Sequence, residues 1–377
     1  MIDQKKVKIL LVFFFTMVAA MPLTGQHIHK EFDHLFTTPL HYIIYTTNES
    51  LNIDGKPLES AWKQVPWSSW FKDIEGDKKP EPVYKTRFKM LWDADYFYVF
   101  AEMEEPHIWA NLKEHDQVVY HDNDFEIFID PSGDAHNYFE IEVNAFKTVF
   151  DLFLSKPYRS GGQALIPWNT DGLQVGVDID GTLNDPSDTD NRWTVEMAIP
   201  FRTLSLGDQV HVPEDGSLWR INFSRVQWDT EIIDNVYHKK INPETGKPFP
   251  EHNWVWSPQG IINMHFPERW GYALFTTTEP GVSEVKFELP GSEKLKRHLW
   301  LSYYLQSKYF REHGKYATSF SALNHSPRVQ HDQHHCNMIM EATSFQYQIV
   351  LQCNYLKESW QINHEGRVWK YHLKENP

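Results

Sequence analysis

Cysteine is almost missing from this chain, with only Cys336 and Cys353 in 377 residues, both near the C-terminus. The long stretch before them has to hold together by its own core, helped at most by a metal. In an oxidising compartment the two can pair and staple that end; otherwise they remain two buried thiols. Basic charge is also short. Lys and Arg number 36 against 51 Asp and Glu, a net charge of −15. That balance excludes nucleic acid as an expected partner, because binding a phosphate backbone requires a basic face. Past the first twenty residues no apolar run is long enough to cross a bilayer, which takes about 20 residues. Neither a GxSxG elbow, a P-loop, a dinucleotide fingerprint nor an HExxH pair is present.

The N-terminus is the one strongly apolar stretch. Lys5, Lys6 and Lys8 precede the uninterrupted apolar run 9–20, and a short MPLTGQ segment with the small Gly25 follows. This three-part layout is that of a secretory signal peptide over 1–26, cleaved from the mature chain. It predicts a secreted or periplasmic protein with no transmembrane segment after cleavage. No cysteine lies near the cleavage point, so a lipid anchor is not expected. Removing three Lys and one Asp moves the net charge from −15 to about −17.

Aromatics are abundant, with 15 Trp, 17 Tyr and 24 Phe. They favour strands and fill sandwich cores, and exposed ones can stack on sugar rings. Strand-like runs fall at 85–92, 96–103, 125–130, 138–145, 149–154, 173–179, 193–199 and 219–228, separated by turn-rich pieces such as Asp130-Pro131-Ser132-Gly133. Many short strands punctuated in this way predict a mainly β protein, an antiparallel β-sandwich of jelly-roll type. Period-2 alternation assigns the faces. Phe139, Ile141 and Val143 oppose Glu140, Glu142 and Asn144. Trp193, Val195 and Met197 oppose Thr194, Glu196 and Ala198, and Trp219, Ile221 and Phe223 oppose Arg220, Asn222 and Ser224. One sheet surface should be core and the other polar. Further on, 293–313 has helical spacing at Leu295, Leu299, Tyr303, Gln306 and Phe310, with Gly314 placed to terminate it. Segments 343–353 and 360–372 read as strands, giving a small α+β unit, and the His331, His334, His335 tract reads as a solvated loop.

Several blocks together resemble a known family. Ile53-Asp54-Gly55 with Leu58, Glu59 and Trp62 is similar to the opening of family 9 carbohydrate-binding modules. The likeness continues through Leu91-Trp92-Asp93, Asp124-Phe125-Glu126-Ile127-Phe128-Ile129-Asp130-Pro131, Tyr138-Phe139-Glu140-Ile141-Glu142, Trp193-Thr194-Val195-Glu196, Trp219-Arg220-Ile221-Asn222 and His265-Phe266-Pro267. The resemblance implies a β-sandwich that binds an oligo- or polysaccharide without cleaving it. It also implies a structural calcium ion and an association with glycoside hydrolases in carbohydrate catabolism. Domains follow as a signal peptide (1–26), a lead-in (27–49), the sandwich (50–280) and the α+β extension (281–377).

For the sugar site the resemblance places Tyr120 at one stacking position and Glu126 as a polar partner, and Glu142 stands on the next strand where the family often has an arginine partner. Where it would place a second stacking tryptophan stands Met264, so Trp109, Trp254 and Trp256 are the further rim candidates. For metal, the dense acidic loops supply Asp122 and Asp124, and Asp185, Asp188 and Asp190, as oxygen donors for calcium. An alternative is a hydrolase of O-glycosyl bonds working with a carboxylate pair drawn from Glu126, Glu140, Glu142 and Glu196. A third reading keeps the fold as a scaffold with no sugar site.

Overall fold

A computed structural model describes residues 29–371 apart from 332, 355 and 357. The predicted signal peptide lies outside the described residues. Fifteen strands form the first body: β1 His41–Thr46, β2 Lys72–Asp73, β3 Thr86–Trp92, β4 Tyr96–Glu104, β5 Asp124–Asp130, β6 Tyr138–Asn144, β7 Val149–Leu154, β8 Ala164–Leu165, β9 Gln174–Asp180, β10 Arg192–Pro200, β11 Leu218–Gln227, β12 Thr230–Ile233, β13 Val236–Lys239, β14 His252–Val255 and β15 Gly271–Thr276. A single helical turn, α1 (Ser60–Gln64), lies between β1 and β2.

All but the β12–β13 hairpin belong to one continuous sheet in the order β8-β7-β6-β5-β11-β15-β1-β3-β4-β10-β9, with β14 and β2 extending from β11. The path curls until its halves face each other. Phe88 of β3 and Phe223 of β11, not neighbours in the path, have ring centroids 4.0 Å apart. Between them lie Phe125, Ile127, Ile141, Val99, Val195 and Met197, all fully buried. Each such side chain contributes roughly 1.5–3 kcal/mol of transfer free energy. The sandwich is therefore as the alternation predicts, with one addition. β1 comes from the lead-in and pairs in parallel with both β15 and β3, so those residues complete the sheet.

The loop carrying Asp54 and Gly55 crosses the outside of β9 and β10. Glu196 holds it there by accepting the amides of Asp54 (3.1 Å) and Gly55 (3.0 Å) and the Trp62 indole N–H (2.8 Å). Gly55 has φ +86°, and a Cβ there would lie 2.6 Å from the Asp178 nitrogen, so only glycine fits. Glu196 thus anchors a loop on the half of the sheet away from Glu126, Glu140 and Glu142, which corrects its grouping with them as a catalytic candidate.

The second body packs α2 (Gly291–His313) on an antiparallel meander, β16 Arg328–His331, β17 His334–Ala342, β18 Tyr347–Cys353, β19 Ser359–Asn363 and β20 Val368–Tyr371. Leu295, Leu299, Tyr303 and Gln306 are buried, while Phe310 is partly exposed against Tyr316. Gly314 caps the helix in the left-handed conformation, as its position predicts. The histidine tract corrects the loop expectation: the backbone of His331 pairs with that of His334 in the β16–β17 hairpin. Cys336 and Cys353 sit opposite each other on β17 and β18 and are disulfide-bonded.

This unit docks on the sandwich. Arg159 ion-pairs with Glu268 at 2.8 Å and lies over the rings of Phe266 and Trp300. Arg367 reaches Asp134 at 2.9 Å, Lys156 reaches Glu365 at 2.6 Å, and Ser160 bonds Tyr303 at 3.0 Å.

Candidate binding site

On the outer face of β5, β6 and β7 the pleat brings three rows of side chains together. Register sets Val226, Asp124 and Asn144 in one row, Ser224, Glu126, Glu142 and Phe150 in the next, and Asn222, Phe128, Glu140 and Leu152 in the third. The alternation correctly sent Glu140 and Glu142 away from the main core. They are nevertheless buried, because other segments roof this face. Val118–Tyr120 covers one side, the stretch Ile262–His265 another, and Tyr158 a third. What remains open is a groove of about 480 Å³.

Its floor is half carboxylate and half hydrocarbon. Glu126, Glu140 and Glu142 alternate with Phe128, Phe150 and Leu152, and Met264 and Ile262 form the wall. Two phenol rings, Tyr120 (38% exposed) and Tyr158 (46% exposed), line the groove and remain open to solvent. Tyr120 is pinned by its backbone: its amide donates to Glu142 Oε2 at 2.9 Å and its carbonyl accepts the Trp228 indole N–H at 2.8 Å. Burial drives the Glu126 carboxyl up to about 7, with Glu251 adding to the rise. Burial first, then Glu126, holds Glu140 and Glu142 well above the usual carboxylate range. His265 contacts Tyr138 through Nδ1 at 3.0 Å and packs edge-on to Tyr158. Burial, with the Arg159 charge, depresses its pKa to about 4, so it is neutral at pH 7.

Of the predicted sugar residues, the structure brings together Tyr120, Glu126 and Glu142. The three tryptophans are placed elsewhere. Trp254 and Trp256 are buried in the core between the sheet halves, and Trp109 is buried with Val226, Trp228 and Tyr237. Their indoles are consumed by packing and supply no rim. Tyr158 was missed because a lone tyrosine between strands carries no pattern, and His265, although inside the His265-Phe266-Pro267 block, was not singled out as a site residue. A larger cleft of about 740 Å³ runs between the lead-in and Trp70. Two of its lysines are engaged, Lys72 with Asp77 at 2.8 Å and Lys78 with the Gly260 carbonyl at 2.7 Å.

The metal candidates separate. Asp122 Oδ2 accepts the amides of Asn111 (2.8 Å) and Leu112 (2.9 Å), which makes it a loop clasp. Asp190 does the same for Ile108 (2.8 Å) and Thr182 (2.6 Å), Asp188 accepts the Thr182 hydroxyl, and Asp185 accepts the Ser187 amide. Such bonds are what turns select aspartate for. Among the described residues two groups bring three ligand-type atoms together: His115, Asp116 and Asp151, and Asp124, Glu126 and Glu142. Asp124 is thus the one predicted metal residue in a converging group, and its companions are two of the predicted sugar residues.

Residues 53–232 match the family model described as carbohydrate family 9 binding domain-like. No curated protein matches the chain. Among solved structures, a proposed carbohydrate-binding protein from Bacteroides uniformis is 15% identical, with a TM-score of 0.46, over 63% of this chain and 100% of its own. A family 9 carbohydrate-binding module from Caldicellulosiruptor kristjanssonii, in complex with cellotriose, is 14% identical with a TM-score of 0.38, over 66% of this chain and 100% of its own. Over residues 53–232, which supply strands β2 to β11 of the sandwich, the chain matches the carbohydrate family 9 binding domain-like family.

Proposed function

We propose that the groove over β5, β6 and β7 binds a saccharide and leaves it intact. The observation that carries this is the company Tyr120 keeps: an exposed phenol ring held by its backbone beside a floor of carboxylates. A sugar has the matching anatomy, an apolar C–H face for the ring and hydroxyl donors for carboxylate oxygens. The family match supports the same ligand class. The apolar, Lys-preceded N-terminus supports export, and an exported sugar binder fits a role in polysaccharide catabolism beside glycoside hydrolases.

The test is a glycan array followed by calorimetry, with the wild-type chain beside Tyr120→Ala. Retention of particular glycans that Tyr120→Ala abolishes supports the reading; binding that Tyr120→Ala leaves untouched overturns this groove as the site. One observation favours a second reading. Oxygens of Asp124, Glu126 and Glu142 lie within 4.8 Å of one another, and retaining glycosidases hold two carboxyl groups about 5–5.5 Å apart. Release of shortened product from a bound glycan, lost in Glu126→Gln, would favour the hydrolase.

A further inference from the structure

Glu126 on β5 stands directly opposite Glu142 on β6, and Asp124 lies two residues along the same face. One oxygen from each lies within 4.8 Å of the other two, and all three side chains are buried. Like charges directly opposite each other destabilise a sheet, and burial raises the cost of each.

Among the described residues the carboxylates of Asp124, Glu126, Glu140 and Glu142 have one ion-pair contact, His265 Nε2 to Glu140 Oε2 at 4.0 Å, and that ring is neutral. Nor are their oxygens used up as those of the structural aspartates are. Asp130 spends both on the amides of Gly133 and Ala135. Asp124 Oδ2 has no hydrogen bond. Outside the trio, Glu140 lines the same groove with Oε2 buried and without a hydrogen bond. Asp124 Oδ2, buried and unused within 4.8 Å of carboxylate oxygens of the groove-lining Glu126 and Glu142, is a ligand for an oxygen-seeking cation. Calcium takes six to eight such donors and keeps water on its open positions.

We propose that Asp124, Glu126 and Glu142 hold a hard divalent cation of the calcium type, whose open coordination positions take hydroxyl oxygens of the bound saccharide. The cation site stands on its own geometry; the hydroxyl contact rests on the binding reading above.

The probe is calcium chloride titrated into the chelator-stripped full chain, followed by calorimetry and metal analysis. Asp124→Asn/Glu126→Gln is the test variant, and Asp185→Asn/Asp188→Asn, in the exposed acidic loop, is the control. One calcium per chain is expected, with affinity at least tenfold weaker in the test variant and unchanged in the control. Absence of calcium binding, or equal binding by the test variant, overturns the site. If the double variant does not fold, Glu142→Gln, which keeps an acceptor for the Tyr120 amide, takes its place under the same criteria. Glycan capture is then compared in calcium and in EDTA. Capture lost in EDTA supports hydroxyl coordination. Capture that persists in EDTA overturns the coordination and leaves the sugar site standing, whereas calcium binding with no glycan captured overturns the sugar reading and leaves the cation site.

Discussion

Glu142 Oε2 accepts the backbone amide of Tyr120 at 2.9 Å, so a carboxylate on the floor of the groove fixes the backbone beneath an exposed ring. The same carboxylate faces Glu126 across the β5–β6 ladder. Its two roles can be separated by substitution. Glu142→Gln keeps an acceptor for the amide while removing one of two opposed charges; Glu142→Ala leaves the amide without a partner. In EDTA at pH 8 we expect the Gln variant to melt above the Ala variant by the equivalent of about 1–2 kcal/mol. Thermal denaturation of the two side by side reads the difference.

His265 gives the fold a pH dependence. Its pKa falls from 6.5 to about 4 in the folded chain because burial disfavours the charged ring. The unfolded chain binds the extra proton, so this stabilisation is complete above about pH 6.5 and is lost as pH falls toward 4. The span is on the order of 3 kcal/mol. Asp130 and Glu196, pushed up to about 7 by burial, slope the other way, losing stabilisation as pH rises from the usual carboxylate range toward 7. The readout is therefore the difference between wild-type and His265→Asn denaturation curves, which should close as pH drops from 6.5 to 4.

Gly55→Ala should be costly far from the groove. The backbone there is left-handed and the new methyl would meet the Asp178 amide. A loss of about 3 kcal/mol is expected. Urea midpoints would register it, and glycan binding by the surviving folded fraction should be unchanged.

Arg159 links the two bodies. Its guanidinium donates to the His265 carbonyl at 2.8 Å and to Glu268 at 2.8 Å, while the adjacent Tyr158 ring lines the groove. Arg159→Leu strands a buried Glu268 and should destabilise docking by roughly 3–5 kcal/mol. It should also weaken glycan binding several-fold through the loosened wall. Unchanged affinity by calorimetry would show that the α+β unit gives the groove no support.

How far the sequence could be read depended on range. The predicted runs 85–92, 138–145 and 149–154 fall within a residue of β3, β6 and β7, because period 2 is written locally. β1 was invisible: His41–Thr46 pairs in parallel with strands near residues 91 and 272, and nothing local announces such a partner. The site was half legible. Alternation put Glu140 and Glu142 on one face, but only register sets Glu126 against Glu142. Trp254 and Trp256 misled because an indole in a turn-rich stretch carries no mark distinguishing rim from core.

The lone disulfide, Cys336–Cys353, joins two strands of the α+β unit, and the sandwich has no cysteine at all. One chain therefore contains a half indifferent to oxidant and a half that matures with it. Made where thiols stay reduced, it would carry a finished groove beside a meander short of its staple, worth about 3 kcal/mol for a loop of this length. Well-folded sandwich is thus no certificate of a well-made molecule; quality has to be judged on the last ninety residues.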